Sequence, residues 1–157
     1  MHPSAQKVAD AAQELGLNIE IVEFAQTTRT AQEAAEAIGC TVAQIVKSLC
    51  FEVSGGAVMC LVSGANQLDE KKLAALCGVS RKQVQRASAE LVKEQTGFSI
   101  GGVPPFGHTR PLPIYIDADL LQFEIIWAAA GTPFAVFAIS PTTLQTASKG
   151  TVADLKK

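Results

Sequence analysis

Residues 47–63, KSLCFEVSGGAVMCLVS, decide the architecture. Two apolar runs, Lys47 to Val53 and Ala57 to Ser63, flank Ser54, Gly55 and Gly56, and small residues of this kind suit the tight connection of a β-hairpin. The hairpin is expected at the centre of a sheet. In the first run side chains alternate, so Lys47 shares a face with Leu49, Phe51 and Val53, while Ser48, Cys50 and Glu52 face the other way.

The flanking sequence reads mainly as helices with their stop signals. Upstream, Ser4 after Pro3 is read as the cap of a first helix with Val8, Ala11, Ala12 and Leu15 on one face and Gly16 at its end. Asn18 to Phe24 alternates like a strand. Thr30 and Glu33 form a capping box before Ala34, Ala35 and Ile38, and Gly39 closes that helix; Thr41 and Gln44 repeat the signal for a short third one. Downstream, helices are expected at Asp69 to Cys77 and Ser88 to Gln95, closed by Gly78 and Gly97, with a short strand around Val84 between them. Further strands are read at Ile114 to Asp117, Glu124 to Ala128 and Phe134 to Ile139, and Ser140 with Pro141 opens a last helix to about Ala147. This order lacks the regular alternation of a doubly wound sheet. It predicts an α+β fold with a mixed, mostly antiparallel central sheet surrounded by helices, in one domain over residues 1–157.

Composition narrows the function classes. Of 157 residues, 48% are hydrophobic and 18% charged, enough apolar material for one sizeable core. The net charge of −2 argues against the broad basic face of a duplex binder, so any nucleic acid should be held locally. The first ten residues are polar and lack the pattern of a secretory signal. The longest apolar stretch, Ile125 to Ile139, is broken by Gly131, Thr132 and Pro133, which disfavours a membrane role. Cys40, Cys50, Cys60 and Cys77 lack C-x-x-C spacing and read as reduced, mostly buried cysteines of a cytoplasmic protein. No glycine-rich phosphate loop follows a strand, so no nucleotide cofactor is expected. Asp117, Asp119 and Glu124 fit a strand end and turn, and no metal site is expected there. Arg81, Lys82, Arg86 and Lys93 form at most a modest basic surface.

Three features carry possible chemistry, each with two open readings. Lys47 begins an apolar face: it either snorkels from the strand end into water or places its ammonium in a pocket, against a phosphate or a polarised carbonyl. Gly101, Gly102, Val103, Pro104 and Pro105 make a stiff turn, either a plain connection or a loop whose N–H groups face a developing negative oxygen. His108 is either a solvated loop residue or part of the mouth beside that turn. No serine or cysteine lies in a recognisable nucleophile setting, so a catalytic triad is not expected.

Thr30 with Ala34-Ala35-Glu36-Ala37-Ile38-Gly39, then Gln44-Ile45-Val46-Lys47-Ser48-Leu49, then Thr96-Gly97 ahead of Gly101-Gly102-Val103-Pro104-Pro105 resemble, in order and spacing, the YbaK/ProX family of aminoacyl-tRNA deacylases. That family also occurs as the editing domain inserted in bacterial prolyl-tRNA synthetases. The resemblance implies that Lys47 and Gly101 are the catalytic positions. It places Thr30, Ser48, Gly102, Val103, Pro104, Pro105, His108, Ala129, Gly131 and Thr132 around the substrate. It implies hydrolysis of the ester between an amino acid and the terminal adenosine, helped by the free 2′-hydroxyl and a water, without a cofactor. The implied partners are the acceptor end of aminoacyl-tRNA and prolyl-tRNA synthetase. Where many members carry a Ser-Ala-Gly-like segment, Ala129-Ala130-Gly131 stands here, followed by Thr132-Pro133. Loss of the hydroxyl makes that wall more apolar and favours small amino acids on tRNA(Pro). A noncatalytic sensor of aminoacyl-tRNA or aminoacyl-adenylate using the same pocket is the competing reading.

Overall fold

Helix α1 spans Pro3–Glu14 in the computed structural model, which describes residues 1–157. It begins earlier than a Ser4 cap would place it. Pro3 occupies the first turn, where a missing N–H costs nothing, and His2 is the cap, its Nδ1 accepting from the Ser4 N–H at 3.0 Å. Strand β1, Ile21–Glu23, is shorter than the alternating run Asn18 to Phe24, because the ladder of its partner spans only those three positions.

Helix α2, Ala31–Ile38, follows the expected capping box: Thr30 Oγ1 accepts from the Glu33 N–H at 3.1 Å, and Gly39 ends the helix in the left-handed conformation. A 3-10 turn at Val42–Gln44 carries the second box. Strands β2 (Val46–Val53) and β3 (Gly56–Ser63) form the hairpin, turned by Ser54 and Gly55, both at positive φ, with Gly56 already paired to Val53. Helix α3 is Glu70–Cys77, capped by Asp69; β4 is Val84–Arg86; helix α4 is Ala89–Thr96, capped by Ser88. Then come β5 (Ile114–Asp117), β6 (Ile126–Ala129), β7 (Ala135–Ile139) and helix α5 (Pro141–Ser148), capped by Ser140. Strand β8, Thr151–Ala153, has no counterpart in the sequence reading.

The strands form two sheets. One has the order β1-β7-β6, all antiparallel; the other runs β4-β2-β3-β5-β8, with β3–β5 and β5–β8 parallel. The hairpin therefore centres the larger sheet, with β3 as its middle strand. Alternation along β2 divides the core. Val46 and Cys50 join Met59, Leu61, Ile126 and Phe137 in the main cluster between the sheets. Phe51, with Cys60, Val62 and Leu73, packs on the opposite face under α3. No helix is long and apolar enough to cross a membrane.

Candidate active site

The site arises where the two sheets part along the edge of β2. Strand β4 covers that edge only from Phe51 to Val53, and at the other end Ile45 makes a parallel bridge to Trp127. Cys50 O accepts from the Ala87 N–H and Ser54 N–H donates to Gln83 O, so even-numbered residues of β2 direct their main-chain groups away from β3. By the same alternation Ser48 presents its N–H and C=O to the uncovered edge. A cavity of about 330 Å³ opens there, at the small end of ligand cavities.

Six of the residues singled out from the sequence line it: Thr30, Lys47, Ser48, Gly101, Val103 and Ala129. The Ser48 hydroxyl is shielded from solvent and has no hydrogen-bond partner. A buried hydroxyl left this way costs stability unless something else binds it. The turn contributes two more free groups. Gly102 N–H is spent on Ser99 O at 3.0 Å, whereas the N–H groups of Gly101 and Val103 have no acceptor in the chain. The donors expected of this turn are therefore those of Gly101 and Val103, not of Gly102.

Gly101 sits at φ +97°, and a Cβ there would lie 3.1 Å from Cγ of Arg29, so the arginine stem rests against the turn. Gly102, Pro104, Pro105, Gly131 and Thr132 do not line the cavity; Gly102 packs instead against the Gly131-Thr132 backbone. Gly131 N–H donates to Gly102 O at 2.8 Å, and a Cβ on Gly102 would meet the backbone of Gly131 and Thr132 at 2.7 Å. Thr28 Oγ1 ties the same segment to the start of α2 by donating to Pro133 O at 2.9 Å.

His108 lies elsewhere, correcting the expectation that it lines the mouth. It borders a separate concavity with Phe106, Arg110 and Lys149, and its Nε2 bonds Pro104 O at 2.7 Å. Gly107, at φ +76°, turns the chain between the Pro104-Pro105 segment and His108. Burial lowers the pKa of His108, against a smaller raising effect of the Pro104 carbonyl, so the neutral ring is favoured.

Lys47 keeps the apolar face read from the sequence, but it is half-buried and its ammonium is not free. It donates to the main-chain carbonyl of Asn66 at 2.5 Å. The Asn66 amide in turn donates to Asp117 and Asp119, each at 2.9 Å, and buried Asp117 also accepts from the N–H groups of Ser63 and Asp119. Burial pulls the Lys47 pKa down, partly offset by Asp117 and reinforced by Arg86. An ammonium has three donors, so two remain after Asn66. Asp117 ends β5 and caps the 3-10 turn Ala118–Gln122, the strand end and turn read from the sequence. The four cysteines are free; burial raises the pKa of Cys40, Cys50 and Cys60 and disfavours the nucleophilic thiolate.

Arg29, Arg86 and Trp127 also line the cavity. Arg86 reads from sequence as ordinary surface charge, and nothing local distinguishes Arg29 or Trp127.

This two-sheet frame is that of an editing fold. A crystal structure described as that of "a putative trans-editing enzyme for prolyl tRNA synthetase" superposes with a TM-score of 0.94 at 47% identity, covering 100% of this chain and 99% of that one. The model of the aminoacyl-tRNA editing domain matches residues 25–147, and the chain belongs to that family. Among relatives, an uncharacterized protein of Bacillus subtilis, YwhH, is 33% identical over 127 residues, 80% of this chain and 79% of its own length. A proline–tRNA ligase of Maridesulfovibrio salexigens is 37% identical over 127 residues, 78% of this chain but 21% of the ligase. This chain thus corresponds to about a fifth of such a synthetase. The family agrees with the resemblance carried by the Lys47 and Gly101 segments.

Proposed function

We propose that the protein is a trans-editing hydrolase that deacylates mischarged aminoacyl-tRNA, acting on small amino acids attached to tRNA(Pro). The observation that carries this reading is the set of unsatisfied groups at one cavity: the Ser48 hydroxyl, the N–H groups of Gly101 and Val103, and an ammonium with donors to spare. No histidine, aspartate or glutamate lines the cavity to activate the Ser48 hydroxyl as a nucleophile, so these act as hydrogen-bonding groups. Such a site suits an ester whose own neighbouring 2′-hydroxyl assists a water that attacks the acyl carbon, the ribose 3′-oxygen leaving with a proton. In this reading the terminal adenosine enters along the open edge of β2, Lys47 holds a substrate oxygen, and Gly101 with Val103 stabilises the negative charge that develops on the carbonyl. Ala129, with Ala31 and Ala34 also in the lining, offers the aminoacyl group an apolar surface, which favours small side chains without a polar handle. The partners are the acceptor end of aminoacyl-tRNA and, in the same pathway, prolyl-tRNA synthetase.

The test uses alanyl-tRNA(Pro) ending in adenosine or in 2′-deoxyadenosine. Release of alanine from the first and its loss by about 10²-fold or more from the second is expected. Equal rates would remove the substrate hydroxyl from the mechanism, and tight binding without turnover would identify a noncatalytic sensor.

A further inference from the structure

We infer that Arg29 and Arg86 form a phosphate clamp at the cavity mouth, gripping the phosphodiester that joins the terminal nucleoside to the rest of the RNA. This rests on the proposed reading of the cavity as an acceptor-end site. The first observation is charge. The cavity is lined by Arg29, Lys47 and Arg86 and by no aspartate or glutamate, in a chain whose net charge is −2. A concentration of positive charge against the trend of the molecule marks the place for an anion.

The second observation is availability. Of the three cations at the cavity, Lys47 is held by the Asn66 carbonyl. The guanidiniums of Arg29 and Arg86 make no ion pair or hydrogen bond within the chain. The third observation is preorganisation. The Arg29 stem lies against Gly101, and the Arg86 guanidinium lies over the Phe51 ring, 5.5 Å from its centroid. The two therefore approach the cavity from different walls, one before α2 and one on β4, each held by packing, the Arg29 stem on the turn and the Arg86 guanidinium on the Phe51 ring, with their N–H donors unspent. A planar fork of this kind matches phosphate oxygens bidentately, which a lysine does not.

Geometry divides the labour. The partly desolvated Lys47 ammonium is anchored within the wall, while the exposed arginines hold the phosphodiester monoanion at the rim, where its oxygens stay partly hydrated. The clamp recognises the backbone of the substrate and is indifferent to the amino acid.

The experiment measures binding of adenosine 5′-monophosphate and of adenosine to the wild-type chain, Arg29→Gln, Arg86→Gln and the double variant. Both arginines are exposed, so the variants should fold normally, and circular dichroism checks this. The wild type should prefer the monophosphate by about tenfold or more. Each variant should lose most of that preference, the double variant all of it, and adenosine affinity should stay within about twofold. Added salt should weaken only the monophosphate. Absence of the preference in the wild type, including failure of either compound to bind, overturns the clamp, as does equal weakening of both compounds in the variants. The hydrolytic reading is scored separately by deacylation of alanyl-tRNA(Pro). An arginine-dependent phosphate preference without turnover leaves the clamp standing and removes the hydrolase; turnover without the preference does the reverse.

Discussion

The ammonium of Lys47 donates to the main-chain carbonyl of Asn66, and the side chain of Asn66 is held in turn by Asp117 and Asp119. A flexible lysine at the head of a strand is thereby fixed beside the uncovered edge of β2. Its charge is kept partly out of water, which lowers its pKa.

Lys47→Met should leave stability within about 1 kcal/mol of wild type, because loss of one hydrogen bond to Asn66 is offset by relief of a desolvated charge. Thermal unfolding checks this. In the wild type, a Lys47 side-chain resonance followed by NMR should titrate below the ordinary lysine value of 10.5, and below the solvent-exposed lysines. Titration with those lysines would contradict the burial argument.

Asp117 accepts three hydrogen bonds while 1% exposed. Asp117→Ala strands the N–H groups of Ser63 and Asp119, takes one of two acceptors from the Asn66 amide, and should cost about 3 kcal/mol in chemical denaturation. Because Asn66 then keeps only Asp119 as an anchor, deacylation should fall further than the loss of folded protein explains.

Gly102→Ala forces a Cβ to within 2.7 Å of the Gly131 and Thr132 backbone. Backbone cannot yield as a side-chain tip does, so a cost of about 1–3 kcal/mol is expected, with a shift of the Gly101 and Val103 donors. A Gly102→Ala protein with unchanged melting temperature and activity would show that the two segments are not mutually braced.

His108 has a folded-state pKa below its ordinary 6.5. The unfolded chain therefore binds more protons between the two values, so this contribution to stability is complete above about pH 6.5 and is lost as the pH falls through the folded-state pKa. Melting temperature should drop on acidification through that window. His108→Gln should flatten the drop while leaving activity near wild type, since the ring lies outside the cavity.

What was legible in the sequence was what local chemistry specifies. Thr30 with Glu33, Thr41 with Gln44, Asp69, Ser88 and Ser140 each satisfy N–H groups within their own turn, so the helix starts they announce are found in place. Ser54 and Gly55 likewise set the hairpin. Non-local features were not legible. Strand β8 is three residues paired in parallel with β5, and nothing in Thr151–Ala153 alone signals it. His2 is an uncommon cap, so Ser4 drew the reading. At the site, Lys47 and the Gly101 turn were found through family spacing. The Asn66 anchor joins residues 19 apart through a main-chain carbonyl, which leaves no side-chain signature. Arg29 and Arg86 resemble any exposed arginine until the fold places them on a cavity without acids.

The most direct test of the central claim is release of amino acid from a panel of mischarged tRNA(Pro) species by the wild-type chain and by Lys47→Ala. The account predicts turnover of small aminoacyl groups, alanine foremost, with prolyl-tRNA(Pro) spared, and a fall of about 10²-fold or more in the variant. Identical rates for wild type and Lys47→Ala, or no release from any member of the panel, would contradict it.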